Sequence, residues 1–143
     1  MEILEPTTPE EFEQYYLLRW EILRAPWGHP RGTEKDDQED LALHVMAKDE
    51  TGACVGVSRL QHNSPVEAQV RFMAVREDQQ GKGVGRALMN YLEEKAKKDG
   101  IEKIVLQARE NAVPFYLSLG YAVVEKSFKL WDIIQHYKME KVI

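Results

Sequence analysis

A chain of 143 residues, 43% apolar and 30% charged, can bury one core and is read as a single domain over residues 1–143. Its net charge of −5, without a long Lys or Arg run, argues against a nucleic-acid partner. No apolar stretch of membrane length occurs and no leader pattern is read at Met1–Glu5, so a cytoplasmic protein without a membrane partner is expected. The single cysteine, Cys54, excludes an internal disulfide framework and reads as a small core residue, because no histidine adjoins it in sequence.

Thr8, Pro9 and Glu11 mark a helix start, with Thr8 as N-cap, Pro9 in the first turn and Glu11 closing a capping box. Phe12, Tyr15, Leu18 and Ile22 then recur at helical spacing. From Ala25 to Glu39 the chain is rich in Pro, Gly and charge, and a long loop with room for a short helix is expected. Leu41 to Lys48 and Cys54 to His62 read as a hairpin around Asp49-Glu50-Thr51-Gly52. Asn63-Ser64-Pro65 turns the chain into a third strand, Glu67 to Arg76. A helix from Gly85 to Lys98, stopped by Gly100, leads to the strand Lys103 to Ala108. Those last two strands should run parallel in a right-handed βαβ crossover. A short helix over Asn111 to Leu119 and two strands, Tyr121 to Phe128 and Gln135 to Lys141, complete the chain. The order predicts an α/β fold of the mixed kind: a mostly antiparallel sheet with one parallel βαβ unit and helices on both faces.

Between the third strand and the following helix lies Gln80-Gly81-Lys82-Gly83-Val84-Gly85-Arg86. Glycines at alternate positions remove Cβ atoms where a strand turns into a helix, leaving backbone N–H groups that a bulky anion can approach. The helix start adds about half a positive charge. These features together read as a pyrophosphate cradle. A P-loop needs Ser or Thr after its lysine, and Lys82 is followed by Gly83. A dinucleotide fingerprint counted from Gly81 meets Arg86 where its third glycine belongs, and no second βαβ half follows.

The pattern that fits is Q/R-x-x-G-x-G, at Gln80, Gly83 and Gly85, which resembles the acyl-CoA-binding motif of the GNAT acetyltransferase superfamily. A second segment, Asn111 to Tyr121 with Phe115, Tyr116 and Gly120, is similar to that superfamily's N-x-x-x-F-Y-x-x-x-G-F/Y. The resemblance runs over about residues 40 to 143 and is strongest from Val70 to Tyr121.

This resemblance implies a GNAT-like fold in which the strands carrying the two motifs splay apart to admit the pantetheine arm of CoA. It implies acetyl-CoA as donor cosubstrate and a primary amine, on a small molecule or a peptide, as acceptor. Met73, Ala74 and Val75 would then offer backbone groups to the pantetheine. Gln80, Gly81, Lys82, Gly83, Val84, Gly85 and Arg86 would hold the pyrophosphate, with Lys82 or Arg86 adding a side-chain contact. Asn111 would touch CoA and cap the short helix. Tyr116 would be the general acid, since a phenol near pKa 10 can protonate a departing thiolate.

Many members of the superfamily carry a Glu on the strand before the cradle to serve as base. This strand offers Gln69 and Arg71, with Glu67 only at its start, so Glu67, Asp40, His44 and His136 stand as candidates acting through water. The acidic run Glu34, Asp36, Asp37, Glu39 and Asp40 would draw a cationic amine, unless it is an ordinary solvated loop. Trp20 is assigned to the core and Trp27 to the acceptor wall. A finer similarity, to the ElaA-like branch, rests on Leu18-Arg19, Asp40, His44, Arg71 and His136 with Met139, although Ala25-Pro26-Trp27 replaces that branch's F-x-x-E-Q. A homodimer through the last strands is plausible on this reading. The competing functions are a catalytically silent acyl-CoA sensor and, further off, a dinucleotide-binding domain.

Overall fold

Thr8 opens the first helix as its sequence requires. Its hydroxyl accepts from the Glu11 N–H (3.1 Å) while the Glu11 carboxylate accepts from the Thr8 N–H (3.2 Å), closing the capping box of α1 (Pro9–Leu23). The computed structural model describes residues 1–143. The strands are β1 (Glu2–Leu4), β2 (Leu43–Lys48), β3 (Cys54–His62), β4 (Glu67–Val75), β5 (Lys103–Arg109), β6 (Ala122–Leu130) and β7 (Ile134–Val142). The remaining helices are α2 (Val84–Lys98) and α3 (Val113–Ser118), and no helix is long and apolar enough to cross a membrane.

All seven strands join one sheet in the order β1-β2-β3-β4-β5-β7-β6, antiparallel everywhere except between β4 and β5. The expected mixed sheet is therefore present, with β1 as an unforeseen edge strand beside β2. β6 and β7 pair with each other inside the chain, and β7 pairs with β5.

Period-two alternation divides the sheet residues between two faces. On β2, Val45 and Ala47 join a core of nineteen buried residues with Leu88, Met89 and Leu92 of α2, whereas Met46 packs beneath α1 with Tyr15 and Leu18. Gly56 is required on the α2 face, because a Cβ there would lie 2.7 Å from Val84 Cγ1. Cys54 is half-buried, and burial pushes its thiol up to about 11, which fits the packing role expected of it.

The smaller α1 face completes itself with charge. Arg19 and Arg59 are both 0% exposed. Arg19 donates to Glu39 Oε2 (2.9 Å), to the Glu34 carbonyl (3.0 Å) and to the Tyr15 hydroxyl (2.8 Å). Arg59 donates to the same Glu39 oxygen (2.9 Å) and to both oxygens of Asp36 (2.6 and 3.0 Å). Burial alone would raise the Asp36 carboxyl, but Arg59 and the Gln38 N–H hold it down to about 2. The acidic loop is thus solvated only in part, at the exposed Asp37 and Asp40. Its Glu34 is 1% exposed, and its Asp36 and Glu39 neutralise buried arginines.

β4 and β5 pair only from Glu67 to Val70 and from Lys103 to Leu106. Beyond that point a bulge bends β4 away: two residues, Phe72 and Met73, stand opposite Ser58 alone, and Phe72 adopts φ 57°. The bulge turns Arg71 and Phe72, neighbours in sequence, toward the same α1 face, where Arg71 meets Asp36 and Phe72 packs on the smaller core. The expected splay of the two motif strands is present, and this bulge is its local cause.

Candidate active site

The split between β4 and β5 opens a cleft of about 820 Å³ that runs through the sheet. Gly81 and Gly83 border it at φ 77° and 87°, with open space where a Cβ would point. Their left-handed turns aim successive N–H groups the same way. The backbone N–H groups from Gly81 to Arg86 donate to no protein acceptor, and the first bond of the helix is Ala87 N–H to the Gly83 carbonyl (3.0 Å). An N–H row of this kind, at the positive end of α2, fits a pyrophosphate. Gly85 has a different reason: a Cβ there would lie 2.9 Å from Phe115 Cζ, so its absence lets α3 close against the helix start. Gln80 ties the turn to the end of β4, its Nε2 donating to the Val75 carbonyl (3.1 Å).

Of the residues expected at the cofactor, Met73, Ala74, Val75, Gln80, Gly81, Gly83, Val84, Gly85, Arg86 and Asn111 line the cleft, and Tyr116 lines it as well. Lys82 does not, so only its backbone N–H belongs to the row. Asn111 does not cap α3. It sits in a 3₁₀ turn, Glu110–Ala112, that leads directly into the helix, and Ala112 at the cap position already has a helical backbone (φ −98°, ψ −7°).

Tyr116 is 6% exposed, packed edge-on to Phe115 (4.9 Å) and Tyr121 (5.9 Å). Burial alone pushes its pKa above the ordinary phenol value, so the hydroxyl keeps its proton at neutral pH. The sealed side-chain atoms without a partner are Arg19 Nε, Ser58 Oγ and Arg59 Nε. The Tyr116 hydroxyl is not among them and has no protein partner, so it opens onto the cleft.

On the other side of the sheet the cleft is lined by Arg24, Arg71, Arg109 and His136. Arg109 stands opposite His136 in the β5–β7 pair and alternates with Ala108, which belongs to the α2 core. Arg109 and His136 therefore face α1. His136 stacks on Phe128 (4.5 Å, 12° between rings), and its Nδ1 lies 2.9 Å from the Ile134 carbonyl. That carbonyl can only accept, which assigns the proton to Nδ1 and leaves the Nε2 lone pair facing the cleft. Burial pushes the His136 pKa below its ordinary value, with the Arg109 charge adding to the effect, so the ring is neutral at pH 7.

The other base candidates lie elsewhere. Glu67 accepts from Asn63 and pairs with Lys103. His44 donates Nε2–H to the Glu39 carbonyl (2.7 Å) and faces the Tyr15 hydroxyl (2.8 Å), and with Asp40 it borders a separate recess. No Asp or Glu lines the cleft. Trp20 is half-exposed rather than core, its indole N–H donating to the His29 carbonyl (2.9 Å). Trp27 packs 6.1 Å from Trp131, whose ring lies 5.3 Å from the Arg24 guanidinium carbon, and so the pair flanks the arginine side of the cleft.

Sequence reasoning missed Arg24, Arg109 and Phe128. For Arg109 the signal was present: it shares strand parity with Gln107, opposite to the apolar Leu106 and Ala108.

A mixed sheet opened at its one parallel pair, with an anion cradle on one side and proton-bearing groups at the gap, is the framework of an acyltransferase. The chain belongs to the GNAT acetyltransferases: the family model described as Acetyltransferase (GNAT) domain matches residues 30–143. An uncharacterised N-acetyltransferase of Bacillus subtilis (strain 168), YjcF, is 27% identical over 132 residues, 92% of this chain and 93% of its own. Among solved structures, an aminoglycoside 6'-N-acetyltransferase complexed with coenzyme A superposes with a TM-score of 0.81 at 19% identity, covering 99% of this chain and 97% of that one. Escherichia coli ElaA superposes with a TM-score of 0.79 at 19% identity over 98% and 97% of the two chains, a likeness of fold.

Proposed function

We propose that this chain is an acetyl-CoA-dependent N-acetyltransferase that acylates a primary amine of a small molecule or peptide. One observation carries the reading: the unpaired N–H row and two proton-handling groups, Tyr116 and His136, open onto one cleft from opposite sides of the sheet. Acetyl-CoA supplies the thioester carbonyl that the amine attacks, and the new C–N bond replaces the C–S bond.

The chain's own residues divide the remaining tasks. The N–H groups from Gly81 to Arg86, with the Arg86 side chain, bind the pyrophosphate, and the exposed edge of β4 at Met73 to Val75 aligns the pantetheine. The acceptor arrives as an ammonium, and freeing its amine costs about 4–5 kcal/mol at neutral pH from a pKa near 10.4. Nearby arginines lower that cost, because like charge disfavours the protonated form. Nε2 of neutral His136 accepts the proton, doing here what a strand carboxylate does in relatives that have one. Tyr116, held protonated by burial, donates its proton to the sulfur as CoA leaves.

The missing carboxylate is the one feature favouring a silent acyl-CoA sensor. Thiol release from acetyl-CoA, measured against a panel of amines, polyamines, amino acids and short peptides, separates the two readings. Amine-dependent release is expected. Saturable acetyl-CoA binding with no release for any acceptor class would favour the sensor.

A further inference from the structure

The cleft's second mouth carries a concentration of positive charge that the fold itself answers only in part. The guanidinium carbons of Arg19, Arg59, Arg71 and Arg24 lie 4.3, 4.9, 4.8 and 5.7 Å from the centre of the Phe72 ring. Arg109 joins them through Leu23, whose carbonyl accepts from Arg24 Nη1 (3.0 Å) and from Arg109 Nη2 (3.3 Å). Asp36 and Glu39 are engaged by Arg19, Arg59 and Arg71, and the buried Glu34, which pairs with Arg31, acts on Arg24 only through space. Arg24 and Arg109 pair with no carboxylate, although both are half-buried. Like charges gathered under partial burial are costly, and folds ordinarily answer them with an acid. Burial and mutual repulsion lower the pKa of Arg24, Arg71 and Arg109 together.

Their free donors point outward from the protein's own network. Arg24 uses Nε on the Thr33 carbonyl and Nη1 on Leu23, leaving Nη2. Arg109 uses only Nη2, leaving Nε and Nη1. None of these free nitrogens is sealed from the cleft. Nor can they serve the pyrophosphate. By strand parity Arg71 and Arg109 project from the α1 face, whereas the cradle stands at the start of α2 on the opposite face.

We propose that the acceptor amine carries an oxyanion, a carboxylate or a phosphate, and that Arg24 and Arg109, supported by Arg71, bind it. This inference rests on the N-acetyltransferase reading and names the substrate class within it. A forked guanidinium matches a carboxylate or phosphate with two parallel hydrogen bonds. The same arrangement places the ammonium of a short amino acid or aminoalkyl phosphate toward His136, the cleft's lone-pair nitrogen, and repels polyamines.

Three acceptors of matched length test it: 4-aminobutanoate, 4-aminobutanamide and 2-aminoethyl phosphate. Each is titrated into the CoA-saturated protein, following the fluorescence of Trp131 and Trp27 beside Arg24. At least one oxyanion should bind about 10- to 100-fold tighter than the amide, the worth of a charge-assisted pair. The carboxylate and phosphate arms identify which oxyanion the site prefers. Arg109→Gln should remove that preference while leaving CoA affinity within about 3-fold, and Arg109→Lys should fall between. Arg24→Gln gives a second route to the same loss should the Arg109 variants fold poorly.

Equal or tighter binding of the amide, no saturable binding of either oxyanion, or loss of CoA affinity in step with the acceptor would overturn the proposal. Thiol release with spermidine and not with either oxyanion would remove the anionic acceptor and leave the transferase standing. Oxyanion binding without thiol release for any amine would instead keep the site and remove the transferase.

Discussion

Glu39→Gln is the sharpest probe of the charge cluster beneath α1. The substitution keeps the shape of the side chain and removes one charge. Glu39 Oε2 accepts from Arg19 (2.9 Å), Arg59 (2.9 Å) and the Asp36 N–H (3.0 Å), and its Oε1 from the Tyr16 hydroxyl (3.3 Å), so four donors lose a charged acceptor at once. Arg19 would keep only neutral oxygens, those of Tyr15 and Glu34, while being 0% exposed. Removing one partner of a buried ion pair costs about 3–5 kcal/mol. For a chain of this size each kcal/mol moves Tm by roughly 4 °C, so a fall of about 10–20 °C is expected. Calorimetric melting measures it, with urea unfolding as a second route to the same free energy. Asp37→Asn, on an exposed neighbour in the same loop, should stay within about 0.5 kcal/mol of the parent. A fall of less than about 3 °C for Glu39→Gln would show that water, not Glu39, compensates the two arginines, and the cluster would lose its structural meaning.

Tyr116→Phe should lower kcat by about 10²-fold or more while acetyl-CoA affinity barely changes, the signature of a lost general acid. Unchanged steady-state turnover would take Tyr116 out of the mechanism. Gly83→Val forces a β-branched residue into φ 87° and fills the open side of the cradle, so calorimetry should show weaker acetyl-CoA binding in a folded protein. An unchanged affinity refutes the cradle assignment. Gly85→Ala puts a Cβ 2.9 Å from Phe115 and should cost about 1–3 kcal/mol of stability as α3 shifts, read from urea unfolding. His136 loses its proton below the ordinary histidine value of 6.5, so kcat/KM should rise with pH through a value under 6.5 and then level. His136→Gln should remove that limb. Stability carries the same sign: His44 and His136 both titrate below 6.5 in the fold, so the unfolded chain takes up protons first. Urea unfolding should show stability lost as pH falls from 6.5 through the folded values, with neither histidine contributing any slope above 6.5.

The parts of this fold that were legible in sequence are those whose causes are local. Alternate glycines between a strand and a helix forecast the cradle, and the capping box at Thr8 forecast α1. What escaped depends on partners distant in sequence. Glu2–Leu4 becomes a strand only because the edge of β2 is there to pair with. The reversal between β6 and β7 passes through Trp131 and Asp132 at φ 52° and 58°, without the Gly or Asn that marks such turns. The bulge at Phe72 arises from its register against β3. Asp36 and Glu39 read as solvated because composition cannot show that Arg19 and Arg59 lie beneath them. Arg19 beside the apolar stripe of α1, and Arg59 on a buried strand, were the available hints. Arg24 and Arg109 are brought together by one carbonyl, Leu23, at the end of a helix 86 residues before Arg109.

The through-sheet cleft has a kinetic consequence. On the proposed reading the two substrates enter by separate doors, so neither obstructs the other, and no serine, cysteine or threonine stands between them to carry an acyl group. Both must be resident at once, and double-reciprocal plots should cross rather than run parallel. A single molecule that tethers CoA to an anionic amine would thread the sheet from one side to the other. It would gain from each mouth the local concentration that the other provides, which makes it the natural inhibitor scaffold for this enzyme.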